Sequence, residues 1–277
     1  MIGQHKLLND MKTLHDNNSL PRFCLFIGPK GSGKKLLVKE VISMYPDYMV
    51  YTVPDIKIDN IRDMIAEAYK TRVPTFYIIP DADNMSVAAK NAMLKITEEP
   101  PNNAKFLMTL EDKNNTLDTI RSRAIIFYMD RYTPQEIYEY GKQFTNYTLH
   151  DDEWDIIKNI CDTPGEVDKI GKYPREFYDY VELVLDNMAE VSGANAFKIG
   201  NKVAIKDGVD GYDLKLFWKA FCSVCMDRLS DSDKEDVLRY SAGVRITSNY
   251  LSQLRIKGIN RQMLFDTWLL DIRREWM

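Results

Sequence analysis

The sequence comprises 277 residues, of which 45% are hydrophobic and 28% are charged, and its formal net charge is −4. This composition excludes a wholly disordered chain, and the negative charge argues against a protein that coats nucleic acid by itself, because such affinity comes from Lys and Arg neutralising phosphates. No apolar run approaches the roughly 20 residues of a membrane-spanning helix, so we expect no membrane contact.

The first 130 residues alternate short apolar runs with amphipathic stretches, the pattern of a parallel sheet covered by helices. The N-terminal MIGQHKLLNDMK lacks the apolar core of a secretory signal, so the expected location is cytoplasmic. Between the strands, KKLLVKEVISMY predicts a helix, and Asp59 and Ser86 are expected to cap the next two helices. Five strands are predicted, at residues 22–27, 48–53, 75–80, 104–110 and 124–129.

After Asp130 the sequence reads as helical throughout. Thr133 and Glu136 have the spacing of a capping box with Pro134 at the first helical position, a strong signal for a helix start. The pair Cys222 and Cys225 lies within LKLFWKAFCSVCMDRL, whose apolar residues repeat at helical spacing. We therefore predict two buried thiols rather than a zinc or redox site, since no second CxxC is present to complete a zinc tetrahedron.

The segment GPKGSGKK follows the first predicted strand directly and leads into a helix. In this context backbone N–H groups and the helix dipole hold phosphates, and a lysine reaches the β- and γ-phosphates. The alternative is a plain strand-to-helix turn. The residue after this lysine normally offers a hydroxyl group to Mg²⁺. Lys35 stands at that position here, and an ammonium group cannot bind a metal cation. The candidate nucleotide-binding residues are Gly28, Pro29, Lys30, Gly31, Ser32, Gly33, Lys34 and Lys35.

The acidic motif that should accompany this loop falls on FYIIPDADNM. Alignment of its apolar run places Pro80 where the metal-side acid belongs and Asp81 at the catalytic-acid position, with Asp83 one residue too far away. The alternative is a polar loop after a strand. Because Lys35 and Pro80 both remove metal contacts, we expect no metal site and a loop open to ATP or ADP without well-formed Mg²⁺ coordination.

Five segments together resemble the clamp-loader branch of the AAA+ ATPases, and most closely the delta-prime type of subunit of bacterial DNA polymerase III. They are IGQ (2–4), GPKGSGKK (28–35), IKIDNIRDMI (56–65), the run at 81–110 and TIRSRA (119–124). The resemblance implies an α/β plus all-α protein. It would have an AAA+ P-loop core with a five-stranded parallel sheet (1–130), a small helical lid (131–175) and a helical collar for oligomerisation (176–277).

The resemblance also implies a role for Arg123. In this family a Ser-Arg-Cys motif supplies an arginine finger to the ATP of the neighbouring subunit, and Ser122, Arg123 and Ala124 match it without the cysteine. The family's four-cysteine zinc module is missing, because residues 46–55 contain no cysteine, so no zinc is expected. Glu166 stands where motor subunits carry a sensor arginine.

The implied function is that of a delta-prime-type subunit in a DNA polymerase holoenzyme, which helps ATP-dependent loading of a sliding clamp on primed DNA. Its partners would be the other clamp-loader subunits, the clamp and, through the complex, DNA. We expect no ATP hydrolysis by the chain alone, with Asp81 as a degenerate catalytic acid. The alternative is a self-sufficient AAA+ motor, such as a helicase or clamp loader in replication or repair. A metabolic P-loop kinase or GTPase is less supported, because no acceptor-substrate motif is visible.

Overall fold

The structure is a computed structural model that describes residues 2–146, 148–172, 174–188, 203–204, 211–229, 232–254, 256 and 258–276. It divides into two compact units. The first comprises Met1–Glu136 with Thr163–Gly165, and the second comprises Ile137–Asp162 with Glu166–Met277. Part of the predicted collar, residues 189–202 and 205–210, lies outside the described residues. The division into core, lid and collar remains a prediction.

A five-stranded parallel sheet forms the centre of the first unit. The strand order is β2-β3-β4-β1-β5, and each neighbouring pair of strands is parallel. The carboxyl ends of all five strands therefore lie at the same edge of the sheet. The five predicted strands are confirmed with end shifts of at most one residue. The strands are β1 (Phe23–Ile27), β2 (Met49–Thr52), β3 (Thr75–Ile79), β4 (Ala104–Leu110) and β5 (Ile125–Tyr128).

Helices cover both faces of this sheet. Alternate residues of β1 point to opposite faces, so Leu25 packs in a core with α3 and α4, whereas Phe26 packs in a core with α1 and α2. This alternation explains why every residue of β1 is buried. The helices are α1 (His5–Asp16), α2 (Lys34–Ser43), α3 (Ile58–Lys70), α4 (Val87–Glu98) and α5 (Asp118–Arg121).

Two of the three expected helix caps are present. Ser86 Oγ accepts a hydrogen bond from Ala89 N–H, 3.1 Å away. The Glu136 carboxylate accepts from Thr133 N–H (2.8 Å), and Glu136 N–H donates to Thr133 Oγ1 (3.2 Å), which closes the predicted box. The prediction for Asp59 was wrong, since α3 already begins at Ile58 and Asp59 lies in its first turn, where a negative charge still favours the helix dipole.

The second unit is built mainly of helices around an aromatic core. Its largest fully buried side chains are Trp154, Phe177, Phe217, Trp218, Phe221, Phe265 and Trp268. The helices are α6 (Pro134–Phe144), α7 (Asp151–Ile160), α8 (Pro164–Ile170), α9 (Pro174–Asn187), α10 (Leu214–Leu229), α11 (Lys234–Gln253) and α12 (Arg261–Trp276), of which α6 and α8 start in the first unit. Two short parallel strands, β6 (Val203–Ala204) and β7 (Tyr212–Asp213), precede α10.

The two cysteines of the CxxC are buried, as the helical spacing predicts. Cys222 and Cys225 lie on α10 with exposed fractions of 8% and 0%. Burial raises the pKa of the Cys222 thiol to about 11, which disfavours the reactive thiolate. In the part of the chain that is described, no helix is both long and apolar enough to span a bilayer.

Candidate functional site: a phosphate loop with a lysine pair

The phosphate loop lies at the carboxyl edge of the sheet, where open α/β sheets bind ligands. Gly28 follows β1 and donates its N–H to Leu110 O at 3.1 Å, which ties the start of the loop to the end of β4. Gly31 and Gly33 have φ angles of 81° and 85°, a conformation that favours glycine. Gly33 caps α2 without a side-chain hydrogen bond. The strand, loop and helix therefore follow one another as the motif predicts.

Lys34 is folded into the loop. Its Nζ donates to Gly28 O at 2.7 Å and to Pro29 O at 2.9 Å, and the residue is only 7% exposed. Burial lowers the pKa of Lys34, against the opposing effect of the nearby Glu111, Asp83 and Asp81 carboxylates. The loop thus holds one ammonium group on its own carbonyl oxygens.

Lys35 and Asp81 form an ion pair across the carboxyl edge. Lys35 Nζ lies 2.5 Å from Asp81 Oδ2, and both side chains are more than 60% exposed. Asp81 follows Pro80 in a left-handed conformation with φ 50°, and its N–H donates to Thr109 Oγ1 at 2.9 Å. The structure therefore joins the last residue of the loop to the degenerate acidic motif.

Asp83 organises the loop after β4. Its two carboxylate oxygens accept hydrogen bonds from Glu111 N–H, both at 2.8 Å, and Oδ1 also accepts from Asp112 N–H (3.2 Å) and Asn115 Nδ2 (2.9 Å). These contacts occupy a carboxylate that is 9% exposed. The sequence pattern placed Asp83 outside the acidic motif but did not indicate that its carboxylate binds the loop after β4. The reason is that its partners lie about thirty residues away in the sequence.

Arg123 is held at the surface of the first unit between α5 and β5. Its Nη1 donates to Thr119 O at 2.8 Å, and its Nη2 lies 2.8 Å from Glu98 Oε1 at the end of α4. The Arg123 side chain is 36% exposed. Ala124, at the position of the family's cysteine, is 8% exposed and packs in the sheet core, where a small apolar side chain fits.

The turn at Thr163–Gly165, where α8 begins, belongs to the first unit and packs directly on the phosphate loop. Gly165 N–H donates to Gly31 O at 3.1 Å, and Thr163 Oγ1 donates to Lys30 O at 3.3 Å. A Cβ atom built on Gly165 would lie 2.6 Å from Gly31 Cα. Only glycine therefore permits this approach of two backbones, and no sequence pattern indicated it.

Replacing Gly165 with alanine is expected to loosen the phosphate loop. Because the clash involves backbone rather than a flexible side chain, the expected cost is about 1–3 kcal/mol. Hydrogen-exchange mass spectrometry should show faster exchange in peptides covering residues 28–37. Lys30→Ala is the control, since it removes an exposed side chain and keeps both backbone contacts. Equal exchange in Gly165→Ala and in the unaltered chain would contradict the assigned contact.

The residues of the site differ from those that hold a magnesium ion in such loops. Mg²⁺ requires oxygen ligands in near-octahedral geometry, whereas the loop presents the Lys35 ammonium, already paired with Asp81. Within the described residues, no group of three or more His, Cys, Asp or Glu side chains could hold a metal. Helix α2 starts at the loop without a side-chain cap and carries two lysines in its first turn, and both features favour the binding of a polyphosphate.

Glu166 makes an ion-pair cluster inside the second unit. Its Oε1 lies 2.6 Å from Lys215 Nζ and its Oε2 lies 3.3 Å from Lys219 Nζ, and Oε2 also accepts from Asp162 N–H at 2.7 Å. The Glu166 side chain is 8% exposed. The residue at the expected sensor position therefore bridges α8 and α10 within this unit.

Comparison with known proteins finds relatives among proteins of DNA replication. Residues 42–133 match the model of the protein family described as DNA polymerase III, delta subunit. The chain is 28% identical over 109 residues to DNA polymerase III subunit gamma of Buchnera aphidicola subsp. Schizaphis graminum, covering 38% of this chain and 30% of that protein. It is 27% identical over 163 residues to replication factor C subunit 3 of Saccharomyces cerevisiae, covering 54% of this chain and 47% of that protein.

These matches span less than half of either relative's length. Among solved structures, a mutant of Thermotoga maritima RuvB matches with a TM-score of 0.51 and 17% identity, covering 95% of this chain and 88% of that one, which supports the fold alone. The sequence matches thus show that part of this chain is similar to subunits of DNA polymerase III and of replication factor C.

Proposed function

We propose that this chain is a clamp-loader subunit of the delta-prime type. In this role it joins a hetero-oligomeric loader, helps to place a sliding clamp on primed DNA, and supplies Arg123 to the ATP site of a neighbouring subunit. Residues 131–175 and 176–277 would serve as its lid and collar. The relatives named as DNA polymerase III and replication factor C subunits support the proposal.

The observation that carries this proposal is the pairing of Lys35 with Asp81. The pair occupies the two positions that an active ATPase of this type uses for its metal and its catalytic acid. A chain altered in this way is suited to assist hydrolysis elsewhere. The surface position of Arg123, with Glu98 and Thr119 O holding its guanidinium, is consistent with donation to a partner.

Reconstitution tests the proposal. The chain is mixed with the motor and delta subunits of one host, and assembly is followed by size-exclusion chromatography with light scattering. We expect a stable hetero-oligomer whose ATP turnover rises with clamp and primed DNA, whereas the isolated chain hydrolyses no ATP. Failure to join any such assembly would contradict the proposal. Robust turnover by the isolated chain would favour a self-sufficient AAA+ motor instead.

A further inference from the structure

Lys35 stands at the sequence position that supplies a metal ligand in phosphate loops that use Mg²⁺. In loops that use Mg²⁺, the residue after the lysine offers a hydroxyl to the metal, and an acidic residue at the end of a neighbouring strand orders the metal's water shell. Here Pro80 replaces that acidic residue, and Lys35 Nζ lies 2.5 Å from Oδ2 of Asp81, the residue that follows Pro80. Since an ammonium and a metal cation repel each other, the site already contains its positive charge.

We propose that Lys35 is a built-in counter-cation, so that the loop binds the polyphosphate of a nucleoside di- or triphosphate without a metal ion. This inference goes beyond the proposed function and is independent of Arg123. It concerns the chain's own loop, so it is tested on the isolated full chain, and its failure would leave the assembly test unaffected.

Three positive features converge on this loop. Lys34 Nζ lies inside it on Gly28 O and Pro29 O. Helix α2 begins there with no side-chain cap on its N-terminal N–H groups, which carry the positive end of the helix dipole. Lys35 adds a second ammonium group at the adjacent position. Lys34, the N-terminus of α2 and Lys35 thus place three sources of positive charge around the loop, and each of them favours a bound polyphosphate.

Lys35 is free to change partners. Its side chain is 63% exposed and that of Asp81 is 62% exposed, and ion pairs at such exposure contribute little stability. A phosphate group, with more charge and more acceptor oxygens than one carboxylate, is the stronger partner. Of the other nearby acids, Asp83 is engaged by backbone N–H groups of residues 111 and 112. It therefore does not draw Lys35 away.

The turn at Thr163–Gly165 contacts the loop through carbonyl oxygens of the loop. Thr163 and Gly165 contact the carbonyl oxygens of Lys30 and Gly31. In a trans peptide the N–H points opposite to the carbonyl oxygen. The Gly31 N–H therefore points away from Thr163. Both hydrogen bonds from the turn go to carbonyl oxygens, so they do not use the N–H groups that a phosphate would bind.

The test measures binding of ADP and ATP to the full chain by isothermal titration calorimetry, in EDTA and in excess Mg²⁺. We expect the tightest binding in EDTA and weaker binding in Mg²⁺, because the metal complexes the nucleotide in a form that Lys35 repels. Lys35→Ala should weaken binding in EDTA by about tenfold or more, the value of one charge-assisted hydrogen bond. Lys35→Thr, which restores a hydroxyl, should remove the inhibition by Mg²⁺.

Lys39→Ala is the matched control. It makes the same charge change one turn further along α2, on an exposed side chain, and should change binding far less than Lys35→Ala. Thermal unfolding without ligand confirms that each variant is folded. Tighter binding of the unaltered chain in Mg²⁺, equal losses in the two alanine variants, or no nucleotide binding under either condition would each overturn the proposal.

Discussion

If Arg123 acts as the proposed finger, replacing it with alanine is expected to slow hydrolysis at the neighbouring subunit's ATP site in the assembled loader by roughly 10³-fold or more. Charge on the γ-phosphate spreads in the transition state, and a guanidinium placed there acts on rate more than on binding. The measurement is clamp- and DNA-stimulated ATP turnover of the reconstituted complex, with assembly checked by size-exclusion chromatography. The variant should remain folded and assembled, because the Arg123 side chain is partly exposed and outside the core.

Three further variants separate a finger from a structural arginine. Arg62→Ala removes the same charge from an exposed side chain on α3 and should leave turnover unchanged. Arg123→Lys keeps the charge but loses the planar fork of donors, so an intermediate rate is expected. Glu98→Gln removes the charge that holds the guanidinium and should give a smaller loss. Normal turnover with Arg123→Ala in an intact complex would refute the finger.

Replacing Glu166 with alanine is expected to destabilise the second unit by about 3 kcal/mol, because it removes the buried carboxylate that pairs with both Lys215 and Lys219 and leaves them only the exposed Asp162. Burial lowers the pKa of Lys215, but the hydrogen bond to Glu166 and the negative charge of Glu166 outweigh this effect. The pKa of Lys215 is therefore raised above its usual value. The ion pair of Lys215 therefore makes its full contribution to the free energy of unfolding at neutral pH. This contribution is lost only as the pH rises through the pKa of Lys215 in the folded state. Urea unfolding followed by tryptophan fluorescence measures the loss, since all four tryptophans lie in this unit.

The matched control for this prediction is Glu235→Ala. Glu235 pairs with Arg239 on the surface of α11 with a side chain that is 75% exposed, and such pairs contribute about 0–1 kcal/mol. Glu166→Gln keeps the shape and a hydrogen-bonding oxygen and should cost less than Glu166→Ala. Similar losses for Glu166→Ala and Glu235→Ala would show that the buried cluster contributes no more than a surface pair.

The features that were predictable from sequence depend on neighbouring residues. β4 occupies its predicted span, and the Thr133–Glu136 box and the Ser86 cap form from side chains within three residues of their partners. Burial of Cys222 followed from helical spacing alone. In each case the determining interaction is local or periodic, so the sequence contains it directly.

The features that were not predictable depend on residues far apart in the chain. The motif indicated that Lys35 cannot ligate a metal, but only the fold shows that Asp81, at the end of another strand, pairs with it. The approach of Gly165 to Gly31 and the contacts of Asp83 with residues 111–115 have the same origin. The true start of α3 was missed because Lys57, which no capping rule favours, precedes it.

The position of β1 in the sheet determines when the phosphate loop can form during synthesis. Phe23 pairs with Phe106 and Cys24 pairs with Ile125, so β1 leaves the ribosome long before either neighbouring strand exists. Pairing between such distant segments is also intrinsically slow. The turn at Thr163–Gly165 arrives later still. A nascent chain ending before Ala104 thus contains the complete GPKGSGKK motif but no neighbouring strand to hold it in the binding conformation.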